Sequence, residues 1–191
     1  MANVDTPMGL RPVRHISGAP YNGAVEHFTT DDGTAIYVGD PVILSGTSQT
    51  YNGRSYRDVN QAATGDVIIG VVVGVLPVTA DSLRYRAAST LRLLAVATSP
   101  DLVFEIQEVS GGTALTANDA GLNANFVVGS GSTITGLSGV ELNNGTEADT
   151  NTLDLRILSP VAREDNAIGE HCKWEVMINR HQYVNQVAGV A

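Results

Sequence analysis

The sequence predicts an all-β protein, a β-barrel or jelly-roll-like sandwich, on three observations. Apolar and polar residues alternate over several short stretches, while helical periodicity is nearly absent. Glycine is plentiful, at 20 residues, and aromatics make up only 5% of the chain, a profile of turn-rich β structure rather than of helix bundles. The longest apolar run, VIIGVVVGVLPV at 67–78, is β-branched and far short of the ~20 residues that span a bilayer. A chain of 191 residues suits one domain, with or without a smaller loop-rich lobe, and hides about 70% of its extended surface without staples.

Taken in order, residues 1–22 carry Pro7, Pro12 and Pro20, which keeps them out of helices and central strands. They also carry Leu10, Val13 and Ile16 beside Arg11 and Arg14, more apolar surface than a disordered tail usually holds. The expectation is an extended arm, with Leu10, Val13 and Ile16 packing on a neighbouring subunit or partner and Arg11 and Arg14 pairing acids there. Residues 23–191 form the β body, which should stay folded without the arm. GDPVIL at 39–44 reads as a strand and 46–65 as a loop. Residues 67–75 read as a strand buried on both faces, with Gly70 and Gly74 marking bulges or close backbone approach. Alternation places further strands at 83–86, 91–97, 102–109 and 153–157, and the turn-forming TSPD at 98–101 joins two of them as a hairpin. Residues 116–124 support one or two helical turns, with Thr116 as N-cap and Gly121 as stop. Residues 129–135 and 143–146 read as loop and turn.

EHCKWEVMINRHQ, at 170–182, is the densest cluster of reactive side chains. In a strand, Cys172, Trp174, Val176 and Ile178 share the apolar face, while His171, Lys173, Glu175, Met177, Asn179 and His181 share the other. Cys172 and His171 then point apart, and His171 and His181 lie roughly 33 Å apart, so the segment holds neither a zinc ligand set nor a Cys–His dyad. Cys172 is expected to be buried and inert.

No motif of catalysis or cofactor binding stands out. The one lysine, Lys173, precedes Trp174 and makes no Walker loop; GSGSTI at 129–134 lacks a third glycine and a following helix; there is no Gly-x-Ser-x-Gly elbow. Asp31-Asp32-Gly33 and Glu164-Asp165-Asn166 read as solvated turns, the first without the further oxygens of a calcium loop. Arg84 and Arg86 around Tyr85 read as a solvated strand face, or as partners for acids elsewhere, rather than a nucleic-acid platform. The net charge of −9, from 20 acids against 11 Lys and Arg, opposes binding to nucleic acid and to anionic membranes alike. Residues 1–5 show neither the basic nor the apolar region of a signal peptide. The sequence thus predicts no enzyme, no cofactor and no metal.

Six segments carry a resemblance: MGLRPVRH (8–15), GDPVIL (39–44), IIGVVVGV (68–75), YRAASTLRLLAVATSPDLVFEIQE (85–108), GLNANFVVGSGSTITGLSGVEL (121–142) and LRILSPVAREDNAIGEHCKWEVMINRHQ (155–182). In this order they resemble the capsid cement, or decoration, proteins of tailed bacteriophages. The resemblance implies a non-enzymatic virion protein on the outer surface of the expanded icosahedral capsid. Such a protein bridges major capsid protein subunits, self-associates (a trimer favoured over a dimer) and is assembled in the host cytoplasm. It supplies no catalytic residues to carry over. Two other classes stand beside it: a receptor-binding or fibre-associated β module, which calls for exposed aromatics, and a small hydrolase with a loop-built site.

Overall fold

The computed structural model describes residues 3–184 and is nearly all β, as the alternation requires. The chain runs through β1 (Arg11–His15), β2 (Glu26–Thr30), β3 (Pro41–Tyr51), β4 (Arg54–Gln61), β5 (Gly70–Val75) and β6 (Arg92–Ala97). It continues through β7 (Leu102–Gln107), the 3-10 turn η1 (Ala117–Asp119), β8 (Asn123–Ala124), β9 (Phe126–Val127), β10 (Glu141–Leu142), β11 (Leu155–Pro160) and β12 (Lys173–Ile178). Strands β2-β4-β3-β5-β6 close a barrel, β1-β7-β12-β11-β8 form an open sheet, and β9 and β10 pair separately. The barrel closes through a parallel contact between β2 and β4 at Thr29 and Asp58, where the buried Thr29 hydroxyl donates to the buried Asp58 carboxylate.

Two hydrophobic cores result. One gathers Phe28, Val42, Val59, Ile69, Val72, Leu94 and Val96, contributed by the barrel strands. The other gathers Val71 and Ala97 of the barrel, Phe104, Ile106, Ile157, Trp174 and Val176 of the open sheet, and Leu10. β5 and the two residues before it serve both: Ile68 and Val71 lie in the second core, Ile69 and Val72 in the first, all fully buried. The continuous apolar run is therefore a strand covered on both faces, as read. The flagged glycines also do what their position suggested. A side chain at Gly70 would stand 2.3 Å from the Ala97 carbonyl oxygen, and the β5–β6 register shifts between Val72 and Gly74.

Three expectations change. Residues 46–65 are not a loop: β3 and β4 form a long hairpin joined by Asn52-Gly53, with φ of 49° and 77°, the left-handed pair that two-residue hairpin turns favour. Residues 98–101 close no hairpin, because β6 pairs with β2 and β5 whereas β7 pairs with β1 and β12; the turn carries the chain from barrel to sheet. Residues 83–86 form no strand, and Arg86 alone makes a bridge, to Ile36. The short helical turn is as read: Thr116 and Asp119 form a reciprocal capping box, and Gly121 at φ 98° ends it.

Gly70→Ala should destabilise the protein by about 3 kcal/mol, since the new methyl group has to displace backbone. Gly74→Ala, whose methyl would meet nothing nearer than the Ala95 side chain at 3.7 Å, should change stability by less than about 1 kcal/mol. Urea unfolding of both variants checks the contrast.

Candidate subunit-contact surface

The N-terminal segment is bound into its own chain. The Asn3 side chain donates to the Ala167 and Glu170 carbonyls and accepts from the Ala167 amide. Gly9, at φ 69°, lies so close to Gly39 that a side chain there would meet its carbonyl oxygen at 2.5 Å, and the Leu10 amide donates to that oxygen at 2.9 Å. β1 then pairs antiparallel with β7 at the edge of the open sheet, the place in a sheet where Pro12 is tolerated. Beyond it, the His15 and Tyr21 amides donate to the Ala19 and Val13 carbonyls, folding the segment back on itself.

This corrects the expected arm. Leu10 is 1% exposed in the second core, because the sheet's edge needs an apolar plug there and the sequence supplies one. Arg14 pairs with Glu175 of β12 at 2.5 Å, which raises the guanidinium's pKa, so its acid is internal. Val13 is half-buried in β1. Arg11 is exposed and Ile16 is 51% exposed; of the five expected contact residues, these two keep free surface. Residues 1 and 2 of the arm and 185–191 of the body lie outside the described residues.

Beside this segment runs an open apolar groove of about 360 Å³ lined by Leu10, Pro12, Tyr21, Val73 and Leu137, among others. A second, of about 470 Å³, continues past Met8 and Leu137 toward Pro7 and Thr135. Arg11 stands on the first groove, so the exposed arm residue and the apolar surface form one contact candidate. Sequence reasoning missed the groove because Val38, Val73 and Leu137 come together only through the fold.

Within EHCKWEVMINRHQ only Lys173–Ile178 is strand. Cys172, Trp174, Val176 and Ile178 are buried while Lys173, Glu175 and Met177 are half-exposed, as the alternation required, but the strand ends at Ile178, and Asn179 and His181, expected on the polar face, are buried. Burial, with Glu108 nearby, pushes the Cys172 thiol up to about 11, which leaves little thiolate at neutral pH. The Trp174 indole donates to the fully buried Glu108 carboxylate at 2.8 Å, and the Asn144 side chain and Leu115 amide donate to its other oxygen. Burial raises the Glu108 pKa. Asn144, read as part of a plain turn, is 3% exposed and holds the turn by donating to the Gly111 carbonyl as well.

Arg86, read as solvated, is fully buried, and so is Asp154. Arg86 donates to the Asp32, Thr34 and Ala87 carbonyls and the Thr30 hydroxyl, and burial lowers its pKa. Neighbouring Tyr85 stacks on Tyr37 with ring centroids 4.8 Å apart. Gly131 abuts the Tyr37 ring so closely that a side chain there would clash. Asp154, just before β11, accepts from the Gly65 amide at 3.0 Å. Its own carbonyl accepts from the Asn179 amide. Asp32 accepts from the Thr34 and Gln61 amides, and Asn166 spans the Val161 and Lys173 backbone, so both acidic tripeptides are turns.

Set against protein-family profiles, curated proteins and solved structures, the chain matches none.

Leu10→Ala should cost about 2–5 kcal/mol of stability, and removal of residues 1–22 should lower the melting temperature of the isolated chain. Calorimetry of both checks that the segment belongs to the fold.

Burial raises the Asp154 pKa to about 6, against about 3.9 in the unfolded chain. The folded state therefore takes up the proton first, and this group's penalty is fully present at pH 7 and relieved as pH falls through 6 toward 4. The stability of the wild-type chain relative to Asp154→Asn should rise by about 2 kcal/mol between pH 7 and pH 4. His181, which burial holds below its usual pKa, pulls the other way below about pH 6.5 in both proteins, so the difference isolates Asp154. Chemical denaturation across that range measures it.

Proposed function

We propose that this protein is a structural component of a phage virion, a cement protein that binds the outer surface of the expanded capsid and bridges major capsid protein subunits. The observation that carries the reading is the ordered resemblance of six segments between residues 8 and 182. Three physical features support it. The β body contains a closed barrel, which leaves its strands no free edge for unwanted pairing with copies crowded beside it. The negative charge, −9, keeps such a protein off packaged nucleic acid. The groove around Met8 and Leu137, with Arg11 and Ile16 exposed on the same segment, offers apolar area for a capsid subunit or a second copy of the chain. A trimer, favoured over a dimer, multiplies a modest contact through effective concentration.

Purified protein mixed with expanded capsids and with unexpanded proheads should sediment with the expanded shells only. Equal binding to both shells, or to neither, defeats the reading. Arg11→Glu combined with Ile16→Asp should weaken decoration by more than about tenfold while leaving the melting temperature unchanged, since both side chains are exposed.

A further inference from the structure

The sequence holds three Asn-Gly pairs, Asn22-Gly23, Asn52-Gly53 and Asn144-Gly145. Such a pair is able to react with itself, because glycine has no side chain to keep its amide nitrogen away from the preceding carboxamide carbon. The fold treats the three differently. Asn144 is shut off: it is 3% exposed, and its Nδ2 donates to Glu108 Oε1 and to the Val109 and Gly111 carbonyls at 2.9–3.2 Å. The Gly145 amide is engaged as well, donating to Asn143 Oδ1 at 3.0 Å. Attack there breaks all of these bonds in a place that water does not reach.

Asn52 is exposed but clamped. Its φ of 49° belongs to the two-residue turn, and Tyr51 and Arg54 pair across that turn. Bringing the Gly53 nitrogen onto the Asn52 carboxamide carbon requires rotation about the Asn52 Cα–C bond, which undoes the turn and that pair.

Asn22 has neither restraint. Asn22, Gly23 and Ala24 are exposed and lie between β1 and β2, outside any strand. A side chain built at Gly23, φ 81°, would meet nothing within 4 Å, and among the described residues the Gly23 amide donates to no acceptor. The Ala24 amide donates to Asn22 Oδ1 at 3.1 Å, and the Tyr21 hydroxyl donates to the Ala24 carbonyl at 3.0 Å, so the turn holds residue 24 against the carboxamide. The Ala24 donor thus sits on the oxygen that becomes negative when the carboxamide carbon is attacked, the placement of an oxyanion hole. Among the described residues no donor reaches the Asn52 carboxamide.

We propose that Asn22 is a site of spontaneous modification, where the chain deamidates through a cyclic imide with water as the only co-reactant. The Gly23 nitrogen attacks Asn22 Cγ and forms the new C–N bond. Nδ2 leaves as ammonia, taking the proton that the Gly23 nitrogen gives up. Water then adds to one of the two imide carbonyls and that C–N bond opens, leaving aspartate or isoaspartate at position 22. Either product adds a negative charge to the link between the N-terminal segment and the barrel. Isoaspartate also adds a methylene to the main chain between Tyr21, which lines the apolar groove, and β2.

The test incubates the full chain in mildly alkaline buffer, folded and in urea, then cleaves it after glutamate, which separates Asn22 from Asn52 at Glu26. Mass spectrometry of the peptides follows each exchange of amide for acid. In the folded chain Asn22 should react at least about tenfold faster than Asn52, whose reaction first has to undo an ordered turn. Asn144 should stay intact. In urea the three should react alike, because only the fold tells them apart. Aspartate and isoaspartate should both form at position 22, since the imide opens on either side, whereas direct hydrolysis of the side chain gives aspartate alone. Asn52 or Asn144 reacting as fast as Asn22 in the folded chain, the same ranking in urea, or aspartate as the sole product overturns the proposal.

Discussion

The structure depends on one strand being apolar on both faces. Each Val or Ile buried in β5 and its approach stabilises the fold by about 1.5–3 kcal/mol, and Ile68, Ile69, Val71 and Val72 are all fully buried. A strand of that kind has no solvent side, so a layer must form on each flank: the barrel on one, the open sheet with the N-terminal segment on the other. Ile69 and Val71, two residues apart, nonetheless fall in different cores. The alternation therefore resets across Gly70, where the backbone is pressed against Ala97. The absence of a side chain at that position is what lets β6 stay close while β5 changes sides.

The loops between these layers are held by buried polar groups rather than by apolar area. Among the described residues, Glu108 has no cation against it and is held by an indole, a carboxamide and a backbone amide. Among them, too, Arg86 has no carboxylate in direct contact and is held largely by backbone carbonyls. Asp154 stands 3.9 Å from Arg180 but takes its close hydrogen bonds from backbone. Burying a charge this way is costly unless nearly every lone pair or proton is met. Each of these groups therefore fixes the geometry of the loop that satisfies it, and removing one partner leaves the others buried without an answer.

What the sequence revealed follows from which forces leave a local trace. The burial of Cys172, Trp174, Val176 and Ile178, the two-sided run of β5 and the capping box at Thr116 are all written in neighbouring residues. The hairpin of β3 and β4 left no such trace, because residues 46–51 and 54–57 are mostly exposed or half-buried and carry no apolar alternation. Asn52-Gly53 was its only local signal, and the surrounding polar residues concealed it. TSPD at 98–101 marks a reversal but not which strands it joins. Arg86 and Asp154 were invisible for a different reason: their partners lie at remote positions, and residue type alone puts charges at the surface.

The internal use of charge also shapes how the outer surface meets a partner. Much of the chain's positive charge is used internally: Arg14 by Glu175, Arg57 by Glu26, Arg163 by Glu105, and Arg86, Arg92 and Arg180 by backbone carbonyls. Arg156 is held by the Asn123 side chain, so among the described residues Arg11, Arg54, Arg84 and Lys173 are the basic groups not assigned to an internal partner. Asp31, Asp81, Asp149, Glu164 and Glu170 meanwhile stand exposed. The accessible surface is acidic, though less so than the formal charge of −9 conveys, because the buried charges, Asp40, Asp58, Glu105, Glu108 and Asp154 against Arg86 and Arg92, are themselves mostly acids. If the chain coats a capsid as proposed, attraction over the bulk of that surface has to come from basic groups on the shell, and it weakens as salt is added. The apolar groove beside Arg11 is the exception, since contact there rests on burial, which salt does not screen. Of the two contributions, only the apolar one is then independent of salt.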